Sequence, residues 1–218
     1  MSEMILANPE KHLRTPEALQ YVGTISEMSV RISQIVQRLL TYSYNEQDAR
    51  IVDLNELGDS ALNLARHKLD TQNIEIERVY YRDLPNIRVV PNHMQQVLLN
   101  LIINAADAMD VGQLITLTTG ISENRVWLSC SDTGKGIPEE NLAHIFDPFF
   151  TTKPPGEGTG LGLHLARTTL DECGGNISVI SEEGIGSTFT IDLPISEDHV
   201  LPVTTHERSP VDLQPSHI

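Results

Sequence analysis

Basic residues, cysteines, aromatic residues and long apolar stretches are all scarce in this sequence, and each shortage excludes a class of protein. The 218 residues include 15 Lys and Arg against 30 Asp and Glu, which gives a formal charge of −15. Nucleic acids and anionic lipids are bound through a basic footprint, so neither is expected as the main partner. No apolar run approaches the roughly 18 residues of a membrane span and no signal peptide is evident, so we expect no membrane contact in this segment. This favours a cytoplasmic location, with room for a membrane anchor elsewhere in a longer protein.

Only two cysteines are present, Cys130 in a predicted strand and Cys173 in a predicted helix. Because they show no repeated spacing, they indicate neither a disulfide framework nor a zinc site, and reduced buried thiols are typical of a cytosolic protein. Aromatic residues make up 5% of the chain and hydrophobic residues 39%, so the sequence predicts an aliphatic core. The length suits one domain with an additional element.

A helix with a polar seam is the most informative feature that is present. It is predicted at residues 93–109, with Asn92 as its N-cap, and it is aliphatic or Ala apart from a few polar positions. Spacings of four, four and three place the seam on one helical face, at Gln96, Asn100, Asn104 and Asp107. An unpaired buried amide costs about 1–3 kcal/mol, so the seam either bonds to neighbouring backbone or forms the wall of a ligand site. An Asn oxygen suits Mg²⁺ that keeps waters and also binds phosphates.

Two glycine-rich turns follow the helix. The first glycine turn, residues 132–136, reads Asp132-Thr133-Gly134-Lys135-Gly136 and ends a predicted strand. A carboxylate there can accept a hydrogen bond from an exocyclic amine, although Asp-x-Gly is also an ordinary turn sequence. The second glycine turn, residues 158–162, reads Gly158-Thr159-Gly160-Leu161-Gly162 and precedes a helix predicted at 163–173. Backbone N–H groups at a helix start favour phosphate, but the spacing matches neither a P-loop nor a dinucleotide fingerprint.

Between the two turns stands Phe146-Asp147-Pro148-Phe149-Phe150, which contains three of the four phenylalanines. In this order the four motifs resemble the N, G1, F and G2 boxes of the ATP-binding catalytic domain of sensor histidine kinases. That domain belongs to a wider family that includes gyrase, Hsp90-type and MutL ATPases. The resemblance covers residues 53–194. It implies a Bergerat-type fold, an α/β two-layer sandwich with a mixed sheet and helices on one face, that binds Mg·ATP.

The resemblance also implies roles for individual residues. Asn104 would ligate Mg²⁺, with Asn100 supporting the phosphates or the metal, and Asp132 would bond the adenine amino group. Lys153 would contact the γ-phosphate and join the two asparagines in catalysis, or it is a solvated lid lysine. The remaining implied nucleotide contacts are Asp107, Gly134, Gly136, Ile137, Phe146, Gly158, Thr159, Gly160, Leu161, Gly162 and, as a second adenine contact, Thr188.

The rest of the chain is predicted around these motifs. Residues 134–158, long and rich in Pro, resemble the ATP lid. Asp53 is predicted to cap a helix at 54–69, and Gly174-Gly175 to end the helix that begins after the second glycine turn. Strands are predicted at 74–81, 87–90, 114–121, 125–131, 176–181 and 187–193. The ATP-binding domain would then span 51–194. It would be preceded by an irregular lead-in at 1–15 and a long helix, and followed by a disordered tail at 195–218.

A long helix is predicted at residues 16–45, with Pro16 in its first turn and an a/d apolar seam. It resembles the second helix of the hairpin through which histidine kinases dimerise, so the full protein would be a homodimer. The phosphoacceptor histidine of that hairpin lies on its first helix. His12 stands in a similar context, but only 27 positions separate it from Leu39, too few for a helix, a turn and a helix back. The acceptor hairpin is therefore expected in a missing segment or in trans.

The function implied is phosphoryl transfer from Mg·ATP to a histidine, followed by relay to the receiver domain of a response regulator. Three alternatives stay open: an ATPase switch of the gyrase or MutL type, a Ser/Thr kinase of the anti-sigma type, and a non-catalytic nucleotide-binding module. The long helix favours a histidine kinase over the anti-sigma type. In gyrase-type relatives a glutamate one turn before the metal-binding Asn activates water. The residue here is Asn100, so we expect slow hydrolysis at best.

Overall fold

The computed structural model describes residues 48–154 and 158–196, which form seven strands and four helices. Four predictions therefore lie wholly or mainly outside the described residues: the lead-in, the long helix, His12 and the tail after residue 196. In chain order the elements are β1 (Arg50–Val52), α1 (Leu54–Thr71), β2 (Glu75–Val79), β3 (Ile87–Val89), α2 (Pro91–Asp107), β4 (Leu114–Ser122), β5 (Arg125–Asp132), α3 (Glu139–Leu142), α4 (Gly162–Glu172), β6 (Asn176–Glu182) and β7 (Gly186–Pro194).

Five strands form one mixed sheet in the order β2-β4-β5-β7-β6. Strand β2 runs parallel to β4, and the other neighbours are antiparallel. The register of β5 and β7 sets Asp132 opposite Ser187, so the end of β5 lies beside the start of β7. Strands β1 and β3 form a separate antiparallel pair. The mixed sheet confirms the α/β fold class.

The core lies between one face of this sheet and the three long helices. Helix α2 occupies the centre, because it packs against α1 on one side and α4 on the other and also contacts β5. Alternate residues of β5 point towards it, and Val126, Leu128 and Cys130 are almost fully buried there. The buried side chains are mostly aliphatic, as the composition predicts, and each contributes roughly 1.5–3 kcal/mol by leaving water. In residues 48–154 and 158–196, no helix combines the length and apolarity needed to cross a membrane.

The predicted helix starts agree with the structure at α1 and, to within one residue, at α4, and differ by two residues at α2. The Asn55 N–H donates to Asp53 Oδ1 over 2.7 Å, which confirms Asp53 as the N-cap of α1. The prediction of Asn92 as the cap of α2 is wrong, since that helix begins at Pro91 and its N-cap is Val90, without a side-chain cap. Proline suits the first helical position because its φ is already helical and the N–H it lacks would have no partner there.

Helix α4 ends as the paired glycines predict. Gly174 has φ +65°, and its N–H and that of Gly175 donate to the carbonyls of Asp171 and Leu170 over 3.1 and 2.8 Å. These are the two bonds of a Schellman motif. Two short elements were not predicted, strand β1 and helix α3 within the predicted lid. They contain three and four residues.

Candidate functional site

A cavity of about 580 Å³ opens between α2, the first glycine turn, the second glycine turn and residues 137–154, which we call the lid segment. Its volume falls in the ordinary range for small-molecule sites. The structure brings most of the predicted site residues to its wall: Asn100, Asn104, Asp107, Asp132, Gly136, Ile137, Lys153, Gly158, Thr159, Gly160 and Gly162. Gly134, Phe146, Leu161 and Thr188 are not among the residues that line it.

One end of the cavity gathers cationic and oxygen groups. Lys153 Nζ, from the lid segment, donates to Asp107 and lies 3.4 Å from Asn104 Oδ1. Asp107 is also paired with Lys68, which reaches it from α1. Burial opposes ionisation of the Asp107 carboxyl, but hydrogen bonds from Lys153 and Lys68 outweigh it and hold its pKa below the ordinary value. The carboxyl is therefore an ionised anchor for two lysines.

Asn100 lies between this end and the start of α4. Its Nδ2 donates to the Gly162 carbonyl over 3.2 Å, and its Oδ1 accepts from Gln96 Nε2 over 3.0 Å. The sequence left two alternatives for the polar seam, bonding to neighbouring backbone or forming the wall of a ligand site. Asn100 does both, because its side chain bonds to the backbone of Gly162 and also lines the cavity. The bond to Gly162 ties the second glycine turn to α2.

The cavity wall also contains one buried carboxyl, Asp132, which is 7% exposed. It accepts backbone N–H groups from Gly134, over 2.9 Å, and from Ser187. Burial raises the pKa of Asp132 above its ordinary value, and those two hydrogen bonds lower it by less. Apolar side chains of Ile137, Ile145 and Phe189 also line this cavity. A flat heterocycle that donates an amine hydrogen could use both the acceptor of Asp132 and these apolar walls.

The first glycine turn has no room for side chains. A Cβ at Gly134 would lie against the Ala108 carbonyl, with the carbonyl carbon at 2.9 Å, and the Lys135 N–H donates to that oxygen over 2.9 Å. Gly134 therefore packs the turn against the end of α2 and does not face the cavity. At Gly136, with φ +67°, a Cβ would lie 2.7 Å from the Glu182 carbonyl carbon. Both glycines set how closely the turn approaches its neighbours.

The phenylalanine motif anchors the lid segment to α4 and the second glycine turn. Phe146 packs against the core, with the Arg167 guanidinium 5.6 Å from its ring centroid and His164 Nδ1 donating to its carbonyl over 3.2 Å. Phe149 has φ +68°, rare for a side chain of this size, and its N–H donates to the Gly160 carbonyl over 2.8 Å. Leu161 is the N-cap residue of α4. Phe146 and Leu161 thus hold the lid segment and the turn in place without lining the cavity.

Thr188 lies on the face of the sheet that points away from the cavity. Its hydroxyl is 2.9 Å from that of Ser131, its partner in the register. Since successive strand residues point to opposite faces, it is Ser187 that lines the cavity beside Asp132. The structure therefore does not support a cavity contact at Thr188. Ser187 was missed because the register of β7 against β5 depends on pairing across 55 positions.

Sequence reasoning also missed several charged and amide side chains near the site. Lys135, Asn141 and Glu183 line the cavity. Lys68 does not line it but contacts Asp107. Lys135 belongs to the first glycine turn and had a usable signal, whereas Lys68 and Asp107 are 39 positions apart, with no motif to connect them.

The residues present fit Mg·ATP. Within residues 48–154 and 158–196 no group of three or more His, Cys, Asp or Glu side chains could hold a metal ion. A divalent ion bound here would therefore take few protein ligands, such as the neutral oxygen of Asn104, and complete its shell with phosphates and water, as Mg²⁺ does. Lys153 would supply positive charge beside it, and Asp132 would supply a hydrogen-bond acceptor for the base.

Comparison with known proteins gives the family. The sequence model of the histidine kinase-, DNA gyrase B- and HSP90-like ATPases matches residues 89–197, half of the chain. The chain belongs to this ATPase family. Sensor histidine kinase ZraS of Escherichia coli strain K12 is 38% identical over 181 residues, which are 83% of this chain and 38% of the relative. The chain spans about two fifths of the length of the ZraS kinases it matches.

Solved structures of histidine kinases match the described fold of this family member. The catalytic domain of histidine kinase ThkA matches with a TM-score of 0.62 and 33% identity, over 68% of this chain and 96% of that chain. The same kinase in complex with response regulator protein TrrA matches with a TM-score of 0.60 and 28% identity, over 89% of this chain and 56% of that chain. The region in common is the ATP-binding catalytic domain of the histidine kinase type.

Proposed function

We propose that this chain is the ATP-binding catalytic part of a two-component sensor histidine kinase. It uses Mg·ATP to phosphorylate a histidine, and the phosphoryl group then passes to the receiver domain of a response regulator. The curated relative ZraS is a sensor histidine kinase, and ThkA has been solved with a response regulator. The observation that carries the proposal is a single cavity whose wall contains the buried carboxyl of Asp132 together with Asn104 and Lys153.

In this proposal Asp132 recognises the base of the nucleotide, and Asn104 and Lys153 recognise its metal and phosphates. Asp132 accepts the adenine amino group, and the apolar walls contact the ring faces. Asn104 ligates Mg²⁺, Lys153 moves to the terminal phosphate, and backbone N–H groups of the second glycine turn contact the phosphates. The metal neutralises phosphate charge when bound. Phosphoryl transfer asks mainly for positioning and charge stabilisation, and these residues provide both.

Two observations favour a kinase over a hydrolytic switch. Asn100, one turn before Asn104, cannot take a proton near neutral pH, and its amide is held by Gly162. Asp107, one turn further on, is ion-paired with two lysines and its pKa is lowered, which makes it a weak base. A general base contributes roughly 10²–10⁴-fold to a rate. Without one, ATP is retained until a histidine arrives, and hydrolysis stays slow.

The phosphoacceptor and the dimer belong to the same proposal. The helix predicted at residues 16–45 would form the second half of a dimerising hairpin in a full-length protein. The nucleophile would be a histidine on a first helix, supplied by a preceding segment or in trans. We propose that the isolated chain does not label itself, and that His12 is not the phosphoacceptor.

Labelled ATP and a separate phosphoacceptor hairpin test the function. The 218-residue chain, Mg²⁺ and γ-labelled ATP are mixed with the phosphoacceptor hairpin of a related kinase and then with the receiver domain of that kinase's response regulator. We expect acid-labile label on the hairpin histidine, followed by its transfer to the receiver. A hairpin with His→Ala and a chain with Asn104→Ala serve as controls, and neither should give label. Rapid hydrolysis by the chain alone, with no label on the hairpin, would instead identify an ATPase switch.

A further inference from the structure

Lys68 lies outside every nucleotide-binding motif, yet its ammonium group pairs with a carboxylate on the wall of the cavity. It stands in the last turn of α1 and contacts Asp107. Asp107 is the last residue of α2, and that helix has no basic residue in its last turn. A carboxylate at a helix C-terminus is disfavoured by the negative end of the helix dipole. Asp107 therefore depends on cations from other elements, and these are Lys68 and Lys153.

The two lysines differ in what they can reach. Lys153 lines the cavity and lies 3.4 Å from the oxygen of Asn104, so a phosphate in the cavity can recruit it. Lys68 is not among the residues that line the cavity, and its side chain approaches Asp107 from α1. Of the two partners of Asp107, Lys153 is the one that can leave, and Lys68 is the one that stays.

We propose that Lys68 is a positioning residue for nucleotide binding, because it keeps Asp107 neutralised while Lys153 transfers to the terminal phosphate. This inference rests on the proposed function. The three side chains together carry one net positive charge. When Lys153 moves to the phosphate, the pair of Lys68 and Asp107 remains neutral, and the cavity wall presents no bare carboxylate to the nucleotide.

Removing Lys68 changes this balance. Asp107 would then either retain Lys153, which withholds it from the phosphate, or face the phosphates as an unpaired negative charge. Two unit charges 4 Å apart interact strongly at an effective dielectric constant near 20, but all three side chains are partly exposed, which weakens the effect. We therefore expect a loss of roughly tenfold in affinity for a triphosphate. Adenosine carries no phosphate and should bind unchanged.

The test compares triphosphate and nucleoside binding in matched variants of the full chain. Calorimetry gives the Kd of Mg·AMPPNP, a non-hydrolysable ATP analogue, and chemical-shift titration gives that of adenosine. Lys68→Met should weaken Mg·AMPPNP about tenfold and leave adenosine within about twofold. Arg66→Met is the matched control, since it removes a positive charge from the same helix, where Arg66 pairs with Asp70 in solvent. That control should alter neither Kd.

A second substitution separates positioning from a merely structural role. Adding Asp107→Asn removes the carboxylate that Lys68 neutralises, so Lys68→Met with Asp107→Asn should bind Mg·AMPPNP within about twofold of Asp107→Asn alone. Lys68→Arg keeps the positive charge and should retain affinity for Mg·AMPPNP. If Lys68→Met does not fold, Lys68→Arg takes its place as the informative variant. A tenfold loss of affinity in a folded Lys68→Arg protein would then overturn the inference. Equal weakening of both ligands, or no rescue by Asp107→Asn, would also overturn it. If the parent binds Mg·AMPPNP and Lys68→Met binds equally well, the inference alone fails, whereas a parent that binds no Mg·AMPPNP rejects the proposed function as well.

Discussion

Gly136 and Gly184 both adopt positive φ angles, +67° and +82°, yet alanine should cost much more at the first. A Cβ at Gly184 meets nothing within 4 Å, whereas a Cβ at Gly136 lies 2.7 Å from the Glu182 carbonyl carbon and 3.0 Å from the Glu183 Cα. The two glycines are close neighbours, because the Gly184 N–H donates to the Lys135 carbonyl over 2.7 Å. Gly184→Ala is therefore a control that has the backbone strain without the clash.

The magnitudes follow from these distances. A left-handed conformation costs a residue with a Cβ about 1–2 kcal/mol, and alanine regains about 0.4–1 kcal/mol by restricting the unfolded chain. Gly184→Ala should therefore lower the free energy of unfolding by about 1 kcal/mol. At Gly136 the clashing atoms belong to the backbone, so overpacking adds about 1–3 kcal/mol, for a total of about 2–4 kcal/mol. Domain stability of about 5–15 kcal/mol leaves both variants folded.

Urea unfolding followed by circular dichroism measures both free energies, and calorimetry measures the Kd of Mg·ATP. Because Gly136 adjoins Ile137 on the cavity wall, Gly136→Ala should also weaken nucleotide binding. Gly184→Ala should not, since Gly184 is not among the residues that line this cavity. Equal stability of the two variants would show that the first glycine turn moves away freely. The close packing of Gly136 would then not determine the shape of the cavity wall beside it.

Three further predictions concern the cavity itself. Asn104→Ala should abolish the Mg²⁺ dependence of ATP affinity with little change in stability, as measured by calorimetry with and without Mg²⁺; tight, Mg²⁺-dependent binding would reject this metal ligand. Asp132→Asn should reduce the preference for ATP over GTP in competition binding. Burial raises the pKa of Asp132 in the fold, so its ionisation lowers the stability of the protein as the pH rises from the ordinary pKa to the raised pKa. Asp132→Asn should remove this loss and be more stable than the parent at pH 7. An Asp132→Asn protein that is less stable than the parent across that pH range would contradict the prediction. Asn100→Glu should either raise hydrolysis of ATP or prevent binding by repulsion of the phosphates, and unchanged hydrolysis with unchanged binding would make Asn100 a structural residue only.

Local patterns predicted those features that depend on neighbouring residues alone. The seam of Gln96, Asn100, Asn104 and Asp107 follows from the helical repeat. In the structure its last three residues line the cavity. The cap at Asp53 and the glycine stop after α4 follow from side-chain and backbone chemistry within a few residues. The family resemblance, carried by motif order, extends this to the fold class and to most of the cavity wall.

The cavity wall differs from the sequence-based expectation where a contact joins distant parts of the chain. Sequence reasoning selected Thr188, but the pairing of β7 with β5 points Ser187 towards Asp132, and a shift of one residue reverses the face of every side chain in a strand. The family resemblance implies a nucleotide contact at Phe146, whose ring lies beside Arg167 of α4 and is not among the groups that line the cavity.

The polar seam and the glycine turns, with the ATPase family they indicate, can be recognised from the order of residues along the chain, because each motif is local and its chemistry is complete within a few positions. Only the tertiary structure decides which groups share the cavity. Asp107 meets Lys68 across 39 positions and Lys153 across 46. Those contacts exist because α1 packs beside α2 and the lid segment folds over its end, and packing of distant elements leaves no periodic mark on the sequence.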